Sequence, residues 1–376
     1  MRVLFDATSI PVDRGGVGRY VDCLLPALAA IGTDLVVVCQ EHDAASVSAL
    51  VPHAEVVAAP RAVRRRPARL AWEQAALPGI ARRTRADVLH SPHYTLPWRS
   101  PVPVVVTLHD ATFFSHPDVH STLKGRFFRT SIRSAVRRAA ALVVPSQATG
   151  NEVRRYAGEA RGEVVVAYHG VDRAAFHPVD AAEQLRVART LGVQDTGYVG
   201  FLGTLEPRKN VPALIRGWSA AVAALPDPPA LVLAGGAGWD TEVDPAIAAV
   251  PGHLRVVRPG YLPFEDLPGF LAGARLLVYP ALGEGFGLPV LEAMACGAAV
   301  LTTRELSLPE VGGDAVAYCD VDDASIGSAV AERLADDARR AALSTAGVAR
   351  AAQFTWEASA HQHARAYESA LRGARP

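Results

Sequence analysis

The residues best placed to do chemistry lie in the run PALGEGFGLPVLEAMACGAAV, residues 280–300. Glu284 stands among Gly283, Gly285 and Gly287, and Glu292 follows eight positions later. Tyr279 closes an apolar, strand-like LLVY, after which the glycines let the backbone turn tightly and approach a ligand closely. Pro289 suits the first position of a helix, where its missing N–H costs nothing, and Glu292 should fall in that helix's first turns. The free amides of such a helix start, with the macrodipole behind them, form an anion site. Two carboxylates flanking an anion site suit a ligand carrying both phosphate and hydroxyls, as a nucleotide-sugar does. The plainer alternative makes Glu284 a surface ornament and Glu292 a partner of the helix dipole; the agreement of loop, dipole and spacing argues against it.

A second cluster is GTLEPRKN, 203–210, where Arg208 and Lys209 follow a strand and a turn and directly precede a helix. A guanidinium can hold two oxygens while an ammonium neutralises a bridging charge, a pairing suited to a diphosphate. The chain has 36 arginines but only two lysines, Lys124 and Lys209, so a lysine beside Arg208 stands out. Gly203 and Pro207 shape the turn, and the strand-end location favours phosphate binding over solvated surface. In TLHDATF, 107–113, His109 stands at a strand end, ready to hydrogen-bond a sugar hydroxyl or a phosphate; Asp110 either holds an acceptor or caps the next turn. The glycines of SIPVDRGGVGRY, 9–20, precede a helix and either meet a phosphate or acceptor or make a flexible turn. They lack the third glycine of a dinucleotide fingerprint, which disfavours a dehydrogenase. Gly235 with Gly236, and Tyr261 with Leu262, follow strands and either border a nucleobase or simply turn the chain.

The elements that must position these groups alternate throughout. Strand-like runs fall near 3–6, 35–39, 56–58, 88–91, 104–108, 142–145 and 164–167, then near 198–202, 231–235, 254–257, 276–279, 300–302 and 317–319. Helical periodicity fits about 17–31, 70–82, 125–138, 146–156, 211–223, 264–272, 289–295 and 324–342. Near-continuous Val/Leu/Ala strands with crossover helices imply parallel sheets buried on both faces. A break between about 172 and 196, with its short polar helix, marks a domain junction. The expected fold is α/β: two doubly wound lobes, 1–172 and 173–356, facing each other across a cleft, with chemistry in the loops beyond the strand ends.

Composition bounds what remains. The chain has 376 residues, enough for two cores. No apolar run is long enough to span a membrane, and the opening MRVLFDATSI reads as a first strand rather than a leader. Cys23, Cys39, Cys296 and Cys319 show no ligand spacing and read as reduced thiols of a cytoplasmic protein. Zero net charge hides an asymmetry: residues 1–172 hold 21 Arg and Lys against 15 Asp and Glu, the rest 17 against 23. The basic half can steer an anionic acceptor or touch the inner face of a membrane, or can be ordinary surface. In residues 124–138, Phe128, Ile132 and Val136 recur every four residues among five arginines. That helix either lies on an anionic membrane or packs its stripe on the sheet and shows its arginines to water, the reading favoured here. Scattered arginines give no sign of nucleic-acid binding.

Taken together, GGVGRY, WEQAALP, SPHYTLP, TLHDATFFSHPD, VPSQATGNEV, HGVD, GTLEPRKN, GYLPFEDLPGFLAGA and GEGFGLPVLEAMACG resemble glycosyltransferase family 4, the retaining enzymes of GT-B fold. TLHDATF with GTLEPRKN is similar to bacterial mannosyltransferases that use GDP-mannose for polysaccharide or glycoconjugate assembly. The resemblance implies that Arg208 and Lys209 hold the donor diphosphate, Glu284 contacts hydroxyls of the transferred sugar and Glu292 those of the ribose. Amides of Gly285, Phe286, Gly287 and Leu288 would line sugar and phosphate, His109 would stand by the sugar carbon under attack, and Gly16 near the diphosphate. A last helix, about 357–376, would return to the first, acceptor-side lobe and leave the second as the donor lobe. The family needs no metal, since the two cations supply its charge. The acceptor would be a glycan, a lipid-linked sugar or a small molecule. No nucleophilic carboxylate is evident by the reacting carbon, so retention points to same-face attack, with the leaving phosphate taking the acceptor's proton. The alternatives are another nucleoside diphosphate sugar as donor, an epimerase or phosphorylase on the same scaffold, or a binding module without transfer.

Overall fold

The structure is a computed structural model, and it describes residues 1–10, 14–119 and 121–373. The chain divides into two compact units, Met1–Gly170 with Thr355–Pro376, and Val171–Phe354. The first unit therefore ends two residues before the junction read from the sequence, and the chain returns to it at Thr355.

The first unit is built on β1 (Arg2–Asp6), β2 (Asp34–Gln40), β3 (Glu55–Ala59), β4 (Val88–Ser91), β5 (Val104–Thr107), β6 (Ala141–Val144) and β7 (Glu163–Val166). They form one parallel sheet in the order β3-β2-β1-β4-β5-β6-β7. The second carries β8 (Tyr198–Leu202), β9 (Ala230–Ala234), β10 (Val256–Gly260), β11 (Leu276–Tyr279), β12 (Val300–Thr303) and β13 (Ala317–Cys319). Its parallel order is β10-β9-β8-β11-β12-β13. In each sheet the chain winds outward one way and then the other, so the direction reverses between β1 and β4 and between β8 and β11. Such switch points open a crevice beyond the carboxyl ends of the two central strands, where ligands bind in doubly wound folds.

Burial on both faces follows from the period of two along each strand. In the first unit Leu4, Val36, Val38, Leu89 and Val106 enter one apolar cluster, while Val3, Phe5, Val37, Val88 and Val105 enter the other. Twelve of the thirteen expected strands stand within one residue of their bounds; the one expected at 254–257 runs later, Val256–Gly260. The helices were less legible. The span 70–82 is two helices, Arg66–Ala75 and Leu77–Arg83, because Pro78 has no N–H to continue the ladder. The span 324–342 breaks at Asp336, whose carboxylate accepts from Arg339 N and caps a new helix, Asp337–Ala351. Gly15, Gly16 and Gly18 do not precede the first helix; they begin it, Gly15–Ala30. Residues 11–13 of their loop, and the last three residues of the expected terminal helix, lie outside the described residues.

In the helix Thr122–Arg138, Phe128, Ile132 and Val136 are buried, so the apolar stripe packs inward as favoured. Leu123, Phe127, Arg126, Arg133 and Arg137 are exposed. Among the described residues no helix is long and apolar enough to cross a membrane. All four cysteines are free thiols.

The terminal helix, Trp356–Gly373, is tied into the first unit by a buried one-way chain of hydrogen bonds. His363 Nδ1 lies 2.7 Å from the Ser359 carbonyl, which can only accept, so Nε2 is bare and accepts from the Tyr20 hydroxyl at 2.8 Å. Tyr20 in turn accepts from Thr107 (3.0 Å), Thr107 from His90 Nε2 (2.9 Å), and His90 Nδ1 from the Tyr367 hydroxyl (2.8 Å). Burial holds the pKa of both histidines down, that of His363 to about 4, so each is neutral at pH 7.

Candidate active site

Strand register assembles the main cluster. Because β8 pairs with β11, the loops following these two strands lie side by side at the switch point. The 3-10 turn Pro207–Lys209 presents Arg208 and Lys209, and the loop after Tyr279 presents Glu284. The Leu282 amide donates to the Arg208 carbonyl at 2.9 Å and clamps the loops together. Asn210 ends the turn at φ +59 and sends its side-chain amide to the Val321 carbonyl at 2.7 Å. Ser307 shapes the acidic loop, its hydroxyl 2.8 and 2.9 Å from the carbonyls of Glu284 and Phe286.

Glu284 is only 9% exposed and is the hub of the cluster. Its Oε1 receives Arg208 at 2.6 Å, the Tyr279 hydroxyl at 2.8 Å and the Lys209 ammonium, while Lys209 also donates to Tyr279. Arg208 donates further to the Gly283 carbonyl and to Glu206, both at 2.7 Å. Burial alone would raise the carboxyl's pKa; Arg208 and Lys209 outweigh it and hold it at about 2, so Glu284 is ionised. Burial lowers the pKa of Lys209, which is 8% exposed, and Glu284 offsets part of that. Tyr279, raised by burial and by Glu284, stays a phenol and a donor. Two cations and a phenol thus converge on one oxygen at the mouth of a helix, a set able to hold an anionic ligand in its place.

That helix is Leu288–Ala295, capped by Gly287 at φ +102. Leu288 takes its first position and Pro289 the second, one place later than expected. Glu292 is the fifth residue, past the first turn and 1% exposed. A Cβ at Gly235 (φ +130) would run into the Gly203 carbonyl oxygen, and the Gly203 amide donates to Ala234 O at 2.9 Å, so the loops after β8 and β9 touch through bare backbone. Tyr261 is exposed, with its hydroxyl beside Gly236, and half-buried Leu262 packs on the core.

Gly16 and His109 belong to the first unit. Gly16 is exposed in the first turn of its helix, where an added Cβ would meet nothing. His109 lies two residues beyond β5, with Nε2 2.7 Å from the Pro92 carbonyl, so Nε2 carries the proton and Nδ1 is left to accept. Burial lowers its pKa, opposed by the Pro92 contact and Asp110, and the edge of Tyr20 packs against its ring at 4.9 Å. Asp110 accepts from Thr112 N (3.2 Å) and Oγ1 (3.0 Å) with one carboxylate oxygen and so holds the start of the next turn. Among the described residues no three His, Cys, Asp or Glu side chains are grouped to hold a metal.

The sequence reading missed Tyr279 and Glu206 as members of the ion cluster. A tyrosine ending an apolar strand, and an acid two residues before Arg208, were the available signals. It also gave Glu284 a duty apart from that shared by Arg208 and Lys209, whereas here both cations are partners of Glu284.

Two doubly wound parallel sheets, one with an ion cluster at its switch point, are the architecture expected of a GT-B glycosyltransferase, and the comparisons with known proteins agree. Residues 14–175 match the family model described as Glycosyltransferase Family 4, and residues 196–337 that of Glycosyl transferases group 1. The chain is 33% identical over 285 residues to O-antigen chain mannosyltransferase B of Escherichia coli, covering 75% of this chain and 74% of that protein. It is 31% identical over 243 residues to D-inositol 3-phosphate glycosyltransferase of Segniliparus rotundus, covering 62% and 53% respectively. Anabaena HepE, solved in complex with UDP-glucose, superposes with a TM-score of 0.76 at 20% identity, over 98% of this chain and 100% of that one. The chain belongs to glycosyltransferase family 4 and is an enzyme that transfers a sugar.

Proposed function

We propose that the enzyme moves mannose from GDP-mannose to a glycan, lipid-linked or small-molecule acceptor, with retention of configuration. The observation that carries the donor part is the convergence of Arg208, Lys209 and Tyr279 on Glu284 Oε1 at the start of the Leu288–Ala295 helix. An incoming diphosphate competes with that carboxylate for the same cations, and the displaced Glu284 is then available to sugar hydroxyls. As the glycosidic bond breaks, charge builds on the diphosphate, where preorganised cations stabilise it most; they do what a bound metal would otherwise do. Amides of residues 285–288 and the Gly203–Gly235 backbone line the phosphates, Glu292 holds the ribose, and Tyr261 and Leu262 border the base. Nδ1 of neutral His109 accepts from a sugar hydroxyl, and Gly16 leaves its helix start open to an anion. With no carboxylate assigned as nucleophile, same-face attack accounts for retention.

Mannose as the sugar rests on the E. coli relative's printed activity. The Anabaena complex supports a second reading, a UDP-sugar donor. We extend the proposal to peripheral contact with an anionic membrane through the exposed Leu123, Phe127 and arginines of the Thr122–Arg138 helix.

A thermal-shift panel of GDP-, UDP-, ADP- and dTDP-sugars reads the donor directly, and product analysis with glycan acceptors reads the transfer. Stabilisation by GDP-mannose, abolished in the Arg208→Ala, Lys209→Ala double variant together with turnover, is the expected result. Normal turnover in that variant refutes the mechanism, and stabilisation by UDP-sugars alone moves the donor to the second reading.

A further inference from the structure

The first unit has a groove of about 990 Å³ at the amino ends of its strands, the opposite end from His109. It is lined by residues immediately before β5, β6 and β7, and by the end of the terminal helix. Trp98 stands on its rim, 70% exposed. The backbone beneath that indole is fixed on both sides. Gln74 accepts from the Trp98 amide at 2.7 Å and donates to the Leu96 carbonyl at 3.2 Å, and Arg138 donates to the Trp98 carbonyl. Pro97, Pro101 and Pro103 stiffen the same loop. Among the described residues the indole makes no ring contact or hydrogen bond. A large apolar side chain held out to water on an ordered backbone is a binding platform already relieved of its ordering entropy.

The opposite wall is polar. Arg161, exposed, lines the groove with no hydrogen bond or ion pair to its guanidinium among the described residues. Glu163 is held by Arg365 at 2.6 Å and by Ser369, which also lowers its pKa. Arg372 lies 3.8 Å from Glu368. Of the three arginines that line the groove, Arg138 donates to the Trp98 carbonyl and Arg372 stands beside Glu368; with Glu163 in the same wall, Arg161 is the one lining guanidinium without a partner among the described residues, which favours a neutral ligand over a polyanion. The groove suits a ligand with neighbouring hydroxyls on one side and a C–H face on the other: the fork of Arg161 takes two oxygens and the indole takes the apolar face.

We propose that this groove is a second carbohydrate site, which holds a glycan away from the transfer site. That the glycan is the enzyme's own acceptor or product chain rests on the function proposed above; the groove's chemistry does not.

The test runs the folded full chain through native gels containing mannan, and separately measures KM for manno-oligosaccharide acceptors of increasing length. Trp98→Ala and Arg161→Ala alter exposed side chains, so unchanged circular dichroism and melting are expected. The groove predicts mannan retardation that each variant weakens about tenfold. It also predicts a KM that rises for long acceptors only, with kcat on a monosaccharide acceptor unchanged. Retardation lost in the variants, even if no donor supports transfer, sustains the groove while the proposed reaction falls. Wild-type protein that ignores mannan, or variants that bind mannan like wild type while transfer proceeds, overturns the groove and leaves the reaction standing. Variants that lose binding to anionic vesicles but keep mannan binding overturn it as well.

Discussion

Glu284→Gln separates the two duties given to one cluster. The amide keeps the carboxylate's shape and removes its charge. The fall of the Glu284 pKa from 4.5 to about 2 means that its surroundings favour the charged over the neutral carboxyl by about 3 kcal/mol, burial included. In the free enzyme the cations are engaged to that extent by the carboxylate; in the variant they are not. A nucleoside diphosphate lacking its sugar should then bind more tightly, by about tenfold once part of the gain is lost to side-chain rearrangement. The intact nucleotide-sugar should not share the gain, because its hydroxyls lose their acceptor, and turnover should collapse. The free variant should also melt lower, since breaking a buried ion pair costs about 3–5 kcal/mol; saturating diphosphate should restore most of that. Calorimetric titration of both ligands against both proteins reads all of this. Equal weakening of diphosphate and nucleotide-sugar would refute the idea that carboxylate and phosphate compete for Arg208 and Lys209.

Acidification should loosen the terminal helix. His363 has its folded pKa depressed to about 4 against 6.5 unfolded, so its contribution is complete above pH 6.5 and is lost as pH falls towards 4. At pH 5 the loss is about 2 kcal/mol from this residue alone, with His90 adding in the same direction. Hydrogen exchange of residues 356–373 should accelerate accordingly, and His363→Gln should flatten the dependence; an equally steep profile in that variant excludes His363 as the cause. Gly235→Ala places a Cβ against the Gly203 carbonyl at φ +130, a strain of about 1–3 kcal/mol or more. It should lower the melting temperature and weaken nucleotide binding together, and wild-type values for both would contradict the close approach. Replacing Leu123 and Phe127 by Glu should abolish flotation with anionic vesicles without touching transfer to a water-soluble acceptor; wild-type protein that stays off such vesicles removes the membrane proposal.

The strands were legible because a parallel sheet covered on both faces writes itself as short apolar runs. LLVY and YVGFL leave little choice of element. The helices were harder, since periodicity carries on through Pro78 and Asp336, where a missing donor and a capping carboxylate end the ladder. The two loops of the candidate site were visible as loops, and Arg208, Lys209 and Glu284 as their charged residues. Their contact was not, because it depends on β8 lying beside β11, a pairing between strands 74 or more residues apart. Tyr279 passed as the end of a strand for the same reason: nothing local shows that its hydroxyl meets an acid five residues on. The histidine chain was beyond reach, since Tyr20, His90, Thr107 and His363 come from four elements.

That chain bears on how the protein is made. Met1–Gly170 leaves the ribosome with Tyr20, His90 and Thr107 in place, yet their partners on Trp356–Gly373 emerge only after all of Val171–Phe354. During that interval Tyr20 and His90 keep their bonds to Thr107 but lack their partners on the terminal helix, and an apolar sheet face lacks its cover. A polypeptide that stops before Thr355 can complete its second unit but not its first. Closure of the first unit thus waits for Trp356–Gly373, which follows the whole second unit in sequence.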